Sequence, residues 1–200
     1  MTATVHPTHP EETAVQDTAV FDRIIDPTVG PPGDARSRTA LAPRPGDLSG
    51  LRLGLLVNTK RNAAEFVEEV TSVLSSQHGM TPVMTRTKPS IVHPAPDEMV
   101  AELREACDVV VVGVGDCGSC SASAIADGLQ LEKAGVPTVV VVSDAFRVSA
   151  DAMAELQGTT GYQYVTTPHP VANLSREGLR DRAAAATPEI VALLTGPAPR

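Results

Sequence analysis

The chain has 200 residues, 42% hydrophobic, 20% charged and only 2% aromatic, with a formal net charge of −8. That is enough apolar material for one packed domain with a tail. It excludes an aromatic stacking platform for single-stranded nucleic acid, and it excludes the basic footprint that a duplex or an anionic membrane requires.

No apolar run approaches the length of a bilayer span, and the N-terminus lacks the basic, apolar, then small-residue order of a secretion signal. The three cysteines are an odd count with no disulfide framework, so a reducing cytoplasm is the expected setting. Residues 1–20, rich in Thr, Glu and Pro, are expected to be a disordered tail, and 21–46 an extended Pro-rich arm. Phe21 to Pro27 carries the arm's apolar weight.

From Asp47 onward apolar strands alternate with helical patterns, and 47–196 reads as a single domain. Leu51–Val57 predicts a buried strand. Asn62–His78 predicts a helix, because Phe66, Val67, Val70, Val73 and Leu74 recur at helical spacing and Gly79 stands at the stop. Thr81–Thr85 is a weaker strand, and Pro96–Ala106 a helix. Cys107–Val112 is a Val-rich strand, Ser121–Ala134 a helix closed by Gly135, and Val136–Val142 a further strand. Ser149–Gln157 reads as a helix and Tyr162–Thr166 as a short strand. Ser175–Leu194 reads as a helix with Ser175 as its N-cap, and Pro188 is expected to split it.

Strand alternating with helix implies parallel pairing, and continuous Val runs imply burial on both faces. The expected fold is therefore α/β: a doubly wound, mainly parallel open sheet of about four to five strands flanked by helices, three layers in a Rossmann- or flavodoxin-like arrangement. Ligands of such sheets bind beyond the carboxyl ends of the strands. The segments that follow the strands are Asn58-Thr59-Lys60, Arg86 to Ser90, Gly115 to Cys120, Ser143 to Phe146, and Pro168-His169-Pro170.

Cys117-Gly118-Ser119-Cys120 lies between the strongest strand and a helix. Two cysteines three apart, with small residues between them, can close a disulfide loop. Placed at a helix N-terminus, Cys117 would be favoured as a thiolate by free N–H groups and the dipole, and Cys120, one turn in, would act as the resolving thiol. Asp116 opposes this, since a nearby carboxylate raises a thiol pKa; Lys60 or Lys88 would offset it on reaching the crevice. Cys107, at the other end of the strand, reads as structural.

Alternatives remain open at this point. Small apolar cysteines in a tight turn would explain the pair without chemistry. A zinc site would need two further ligands, such as His169 and Asp144, and no second CxxC exists, so no metal is predicted. Gly113-Val-Gly115-Asp-Cys-Gly118 is a literal GxGxxG, but Asp116 would stand where the backbone must approach a pyrophosphate. Asp144 also lies 26 residues beyond Gly118, against the usual spacing of about 20.

The run Gly115-Asp116-Cys117-Gly118-Ser119-Cys120 resembles the UGSC-motif (seleno)protein family, whose members carry selenocysteine or cysteine at the position of Cys117. The similarity spans about Ile25 to Leu194. It includes Asp26-Pro27-Thr28, Leu41-Ala42-Pro43-Arg44, Lys88-Pro89-Ser90, Glu132 to Thr138, and Pro168-His169-Pro170. The resemblance implies an α/β fold and chemistry centred on the chalcogen at Cys117, nucleophilic or redox in kind. Family members can carry a further Ser-Cys after the motif; Ser121-Ala122-Ser123 holds no third cysteine, which argues against a three-thiol scheme.

The expectation for function is a cysteine-dependent enzyme acting on a small molecule, by thiol–disulfide redox or by covalent nucleophilic catalysis. Cys117, Cys120 and His169 are the candidate catalytic residues, with His169 as general base. Asn58, Lys60, Lys88, Ser90, Gly115, Asp116, Gly118, Ser119 and Asp144 are the candidate substrate-binding residues, Asp144 alternatively orienting His169. No cofactor is expected beyond a redox disulfide between Cys117 and Cys120. A protein partner or a second copy of the chain is a further expected contact, and nucleic acid and membrane are not. The rival reading is a non-catalytic anion- or nucleotide-binding module, or a subunit of a multi-protein enzyme complex.

Overall fold

The computed structural model describes residues 41–196. The expected tail at 1–20, and residues 21–40 of the arm expected at 21–46, lie outside the described residues. The elements run β1 (Arg52–Val57), α1 (Ala63–His78), β2 (Thr81–Thr87), α2 (Asp97–Ala106), β3 (Val109–Gly115), α3 (Gly118–Lys133), β4 (Thr138–Ser143), α4 (Arg147–Leu156), β5 (Val165–Thr167) and α5 (Arg176–Thr195). The five strands form one sheet, parallel throughout, in the order β2-β1-β3-β4-β5. This is the α/β three-layer arrangement expected from the alternation of patterns.

Side chains alternate across the strands and build two cores. Leu53, Leu55 and Val57 of β1 join Val109 and Val111 of β3 and Val139 and Val141 of β4 on the face covered by α1 and α5. Leu56, Val110, Val112, Val140 and Val142 face the other way, onto Leu103 of α2, Ile125 and Leu129 of α3, and Ala150 and Ala154 of α4. Every residue of β3 and β4 is buried, which is why both read as unbroken apolar runs. Each fully buried Leu or Val contributes about 1.5–3 kcal/mol. The edge strand β2 is largely exposed, and its mixed sequence reflects that.

Several element bounds differ from the sequence patterns, β5 for example being confined to Val165–Thr167, and three of the differences have a physical reason. Strand β3 continues three residues past Val112, because Gly113 and Gly115 pair within the sheet rather than turning out of it. Helix α3 begins at Gly118, not Ser121, since its first turn is built from Gly and Ser, which carry no apolar period. Helix α5 runs unbroken through Pro188. Ala183, Ala186, Ile190 and Leu194 on both sides of the proline are buried in the α1 core, and this packing offsets the bond that the proline cannot donate. The Thr187 hydroxyl donates to the Ala183 carbonyl at 2.7 Å, satisfying one acceptor in the same turn.

The order 2-1-3-4-5 places the topological switch between β1 and β3. The chain leaves β1 for one face of the sheet and β3 for the other, so a crevice opens between the two loops. The residues at that crevice are Asn58 and the run from Asp116 onward.

Candidate active site

Asp116 follows directly on β3, and Cys117 is the N-cap of α3, with extended backbone before the helix. Its Sγ accepts a hydrogen bond from the Cys120 amide at 3.3 Å, and Cys117 and Cys120 are joined as a disulfide with their Cα atoms 5.3 Å apart. Cys117 is half-buried and Cys120 is buried. The Ser119 hydroxyl lies 3.8 Å from Cys117 Sγ.

The close approach of α3 to β3 depends on Gly115. A Cβ there would stand 2.7 Å from the Cα and Oγ of Ser121 and 2.9 Å from Val142 Cγ1. Gly118 has more room, its nearest neighbour being the Ser149 hydroxyl at 3.3 Å from a built Cβ. Gly115 therefore serves close packing.

Asp116 is buried, and both its carboxylate oxygens accept hydrogen bonds. Its Oδ1 accepts from Ser143 Oγ at 2.8 Å, from His169 Nδ1 at 2.9 Å and from the Val171 amide at 3.1 Å; its Oδ2 accepts from the Ala172 amide at 2.9 Å. Burial pushes the carboxyl up, but the donors together outweigh it and hold the group below the usual carboxylate range. Asp144 meets the same histidine from the other side, its Oδ1 accepting from the His169 amide at 3.0 Å. Phe146 sets its ring edge-on to the imidazole, centroids 5.2 Å apart.

Asn58 is buried beside the motif. It donates from Nδ2 to the Val114 carbonyl at 3.0 Å and accepts from the Lys60 amide at 2.9 Å, which ties the loop after β1 to the end of β3. Lys60 is half-buried on that loop. Asn62, in the left-handed region at φ 65°, donates to the carbonyls of Val171 and Leu174 at 3.0 and 2.9 Å. It clamps the turn after His169 onto the start of α1.

The structure thus brings Asn58, Asp116, Cys117, Gly118, Ser119, Cys120, Asp144 and His169 to one end of the sheet. Lys88 and Ser90 stand elsewhere in their contacts. Lys88 is buried, its Nζ 2.5 Å from Asp127 Oδ2 and 2.6 Å from Ser123 Oγ on α3. Ser90 bonds His93 Nδ1 at 2.9 Å within its own loop. Cys107 caps α2, and burial pushes its thiol up. Among the described residues no cluster of three or more His, Cys, Asp or Glu side chains could hold a metal ion, and no helix is long and apolar enough to cross a membrane.

A model of the UGSC family matches residues 23–196. The chain belongs to the UGSC family. Comparison with curated proteins yields no match. Within this UGSC-family chain, Ser143, Phe146 and Asn62 support the site without having stood out as individual candidates. One signal was available for Ser143, a hydroxyl directly after the four-Val run of β4. Nothing local marks Asn62, whose partners lie 109 and 112 residues away.

Proposed function

We propose that the protein is a thiol-dependent enzyme of small-molecule metabolism, with Cys117 as attacking sulfur, Cys120 as resolving sulfur and His169 as proton carrier. The observation that carries this reading is the bonded Cys117–Cys120 pair at the N-terminus of α3, the first residue half-buried and the second buried. The helix end favours a thiolate on Cys117, and the free amides of the first turn can stabilise charge developing beside it.

The reaction class is reduction of an oxidised sulfur compound, written as RSSR′. The reduced pair meets the substrate; Cys117 Sγ bonds one substrate sulfur and the other leaves as R′SH. Cys120 then attacks Cys117 Sγ, RSH leaves, and the protein disulfide remains. The two protons of the protein dithiol end on the two product thiols. A cellular dithiol returns the pair to the reduced state. The reducing cytoplasm is the proposed setting, and a second copy or a protein partner is the source of any further contact.

The histidine held by Asp116 supports a second, non-redox reading, in which Cys117 adds to a carbon electrophile and His169 takes the thiol proton. Intact mass separates the two. With a small disulfide, the reduced protein should lose about two mass units as Cys117 and Cys120 rebond. Cys120→Ser should instead accumulate a mixed disulfide on Cys117. If the three thiols of the reduced protein are alkylated slowly and alike, the enzyme reading fails and the binding-module alternative stands.

A further inference from the structure

Asp116 was a candidate substrate ligand, yet both its carboxylate oxygens are already engaged within the protein. An ionised carboxylate offers about four lone-pair sites. Here His169 Nδ1, Ser143 Oγ and the Val171 amide meet Oδ1, and the Ala172 amide meets Oδ2. Its side chain is 1% exposed, whereas that of His169 is 38% exposed.

We propose that Asp116 is a positioning residue, which fixes His169 as the Nδ1–H tautomer and leaves the Nε2 lone pair as the proton acceptor for Cys117. This deepens the thiol reading above and rests on it for the role of Cys117. A carboxylate only accepts, so the ring nitrogen 2.9 Å from it must carry the hydrogen. A neutral imidazole has one N–H, so Nε2 is left as the acceptor. The opposite tautomer would set a lone pair against a carboxylate oxygen.

The ring has little freedom to turn away. Asp144 holds its backbone amide, Phe146 abuts its face, and the Arg182 guanidinium of α5 holds the carbonyl of Pro168. Asp116 after β3 and Asp144 and Phe146 after β4 meet His169 itself, the Ser143 hydroxyl lies 3.3 Å from its Nδ1, and Arg182 of α5 reaches the neighbouring Pro168 carbonyl. The residue that orients the base also adjoins the nucleophile in sequence, so one peptide unit links the two positions.

The arrangement also answers an electrostatic objection. A buried carboxylate next to a thiol disfavours the thiolate. Once the proton has moved from Cys117 Sγ to His169 Nε2, however, Asp116 is the counter-ion of an imidazolium, and the thiolate faces a neutralised pair. Removing the carboxylate therefore has opposite effects in the two accounts. If Asp116 acts only as a nearby charge, its loss lowers the Cys117 thiol pKa; if it positions His169, its loss raises it.

The test uses the full chain with ¹⁵N-labelled histidine, the His169 signal being assigned by its absence in His169→Asn. Nitrogen shifts should place the hydrogen on Nδ1 in the wild type and redistribute it in Asp116→Asn. In parallel, alkylation of the reduced protein is followed against pH. Asp116→Asn should move the Cys117 midpoint upward and slow alkylation at pH 7 by at least about tenfold. An Nε2–H tautomer in the wild type overturns the proposal, as does a Cys117 midpoint that falls or stays in Asp116→Asn. Should that variant not fold, the wild-type tautomer decides. A Cys117 that is unreactive in wild type and variant alike counts against the thiol reading, while the tautomer still decides the role of Asp116.

Discussion

At the scale of single residues, a missing methyl group sets the geometry of the thiol turn. Gly115 lets the backbone of α3 lie against β3, and the nearest atoms to a Cβ there include the Cα of Ser121, which has no flexible end to swing aside. Gly115→Ala must push β3 and the first turn of α3 apart. Overpacking of this kind costs about 1–3 kcal/mol. At about 2–4 °C per kcal/mol for a chain of this size, the thermal midpoint should fall by several degrees. Because Asp116 and Cys117 directly follow Gly115, alkylation of reduced Cys117 should change as well. An unaltered midpoint would mean that the contact between α3 and β3 has slack, and that the glycine serves something other than close approach.

At the scale of elements, α3 is tied to the β2–α2 connection by a buried ion pair rather than by apolar packing alone. Lys88 Nζ bonds Asp127 and Ser123, Asp127 Oδ1 accepts from the Ala95 amide at 2.6 Å, and Ser123 donates to the His93 carbonyl at 2.8 Å. Both members of the pair are almost wholly enclosed, with side chains 3% and 1% exposed. Burial pushes the Asp127 carboxyl up despite the ammonium beside it. Lys88→Met would strand that carboxyl, at a cost of about 3–5 kcal/mol. Lys88→Met combined with Asp127→Leu should regain much of this, the remainder being the orphaned Ala95 amide. Urea unfolding of the two variants measures the difference, and equal losses in the single and double variants would refute the assignment. Patterns that live within one element were legible in the sequence: the Val runs of β3 and β4, the apolar stripe and Gly79 stop of α1, the Ser175 cap of α5. The Lys88 pair was not, because a lysine after an edge strand reads as a surface cation until its partner 39 residues away is known. Nor was the contact between Asp116 and His169, since a single sequence does not say that β3, β4 and β5 lie side by side. The motif itself was visible, whereas its support came from strand order.

At the scale of the whole molecule, the two ends of the sheet carry different work. The thiol turn and His169 stand at the carboxyl ends of the strands. At the amino ends, Arg44 makes a two-pronged bond to Glu132, Nη1 to Oε2 at 2.9 Å and Nη2 to Oε1 at 2.7 Å. Glu132 also accepts from the amides of Ala42 and Thr138 at 2.8 and 2.9 Å. This joins residues 42–44, the end of α3 and the start of β4 in one closed network. An open cavity of about 630 Å³ lies beside it, lined by Arg44, Arg52, Arg104, Cys107 and Asp108 among others. Two of its three arginines are committed, Arg44 to Glu132 and Arg52 to Asp108 at 2.9 Å, so the end reads as a clasp. The seven residues of β3 put about 20 Å between the clasp and the thiols, a separation at which a unit charge acts with less than about 1 kcal/mol. Charge changes at one end should therefore scarcely be felt at the other. Arg44→Met leaves Glu132 buried without its counter-ion and should cost about 3–5 kcal/mol, read as a lower urea midpoint. Well below that midpoint, the rate and pH midpoint of Cys117 alkylation should equal those of the wild type. A Cys117 midpoint that moves with Arg44→Met would show that the clasp and the crevice are one coupled unit, and the division of the sheet into a binding end and a fastening end would be wrong.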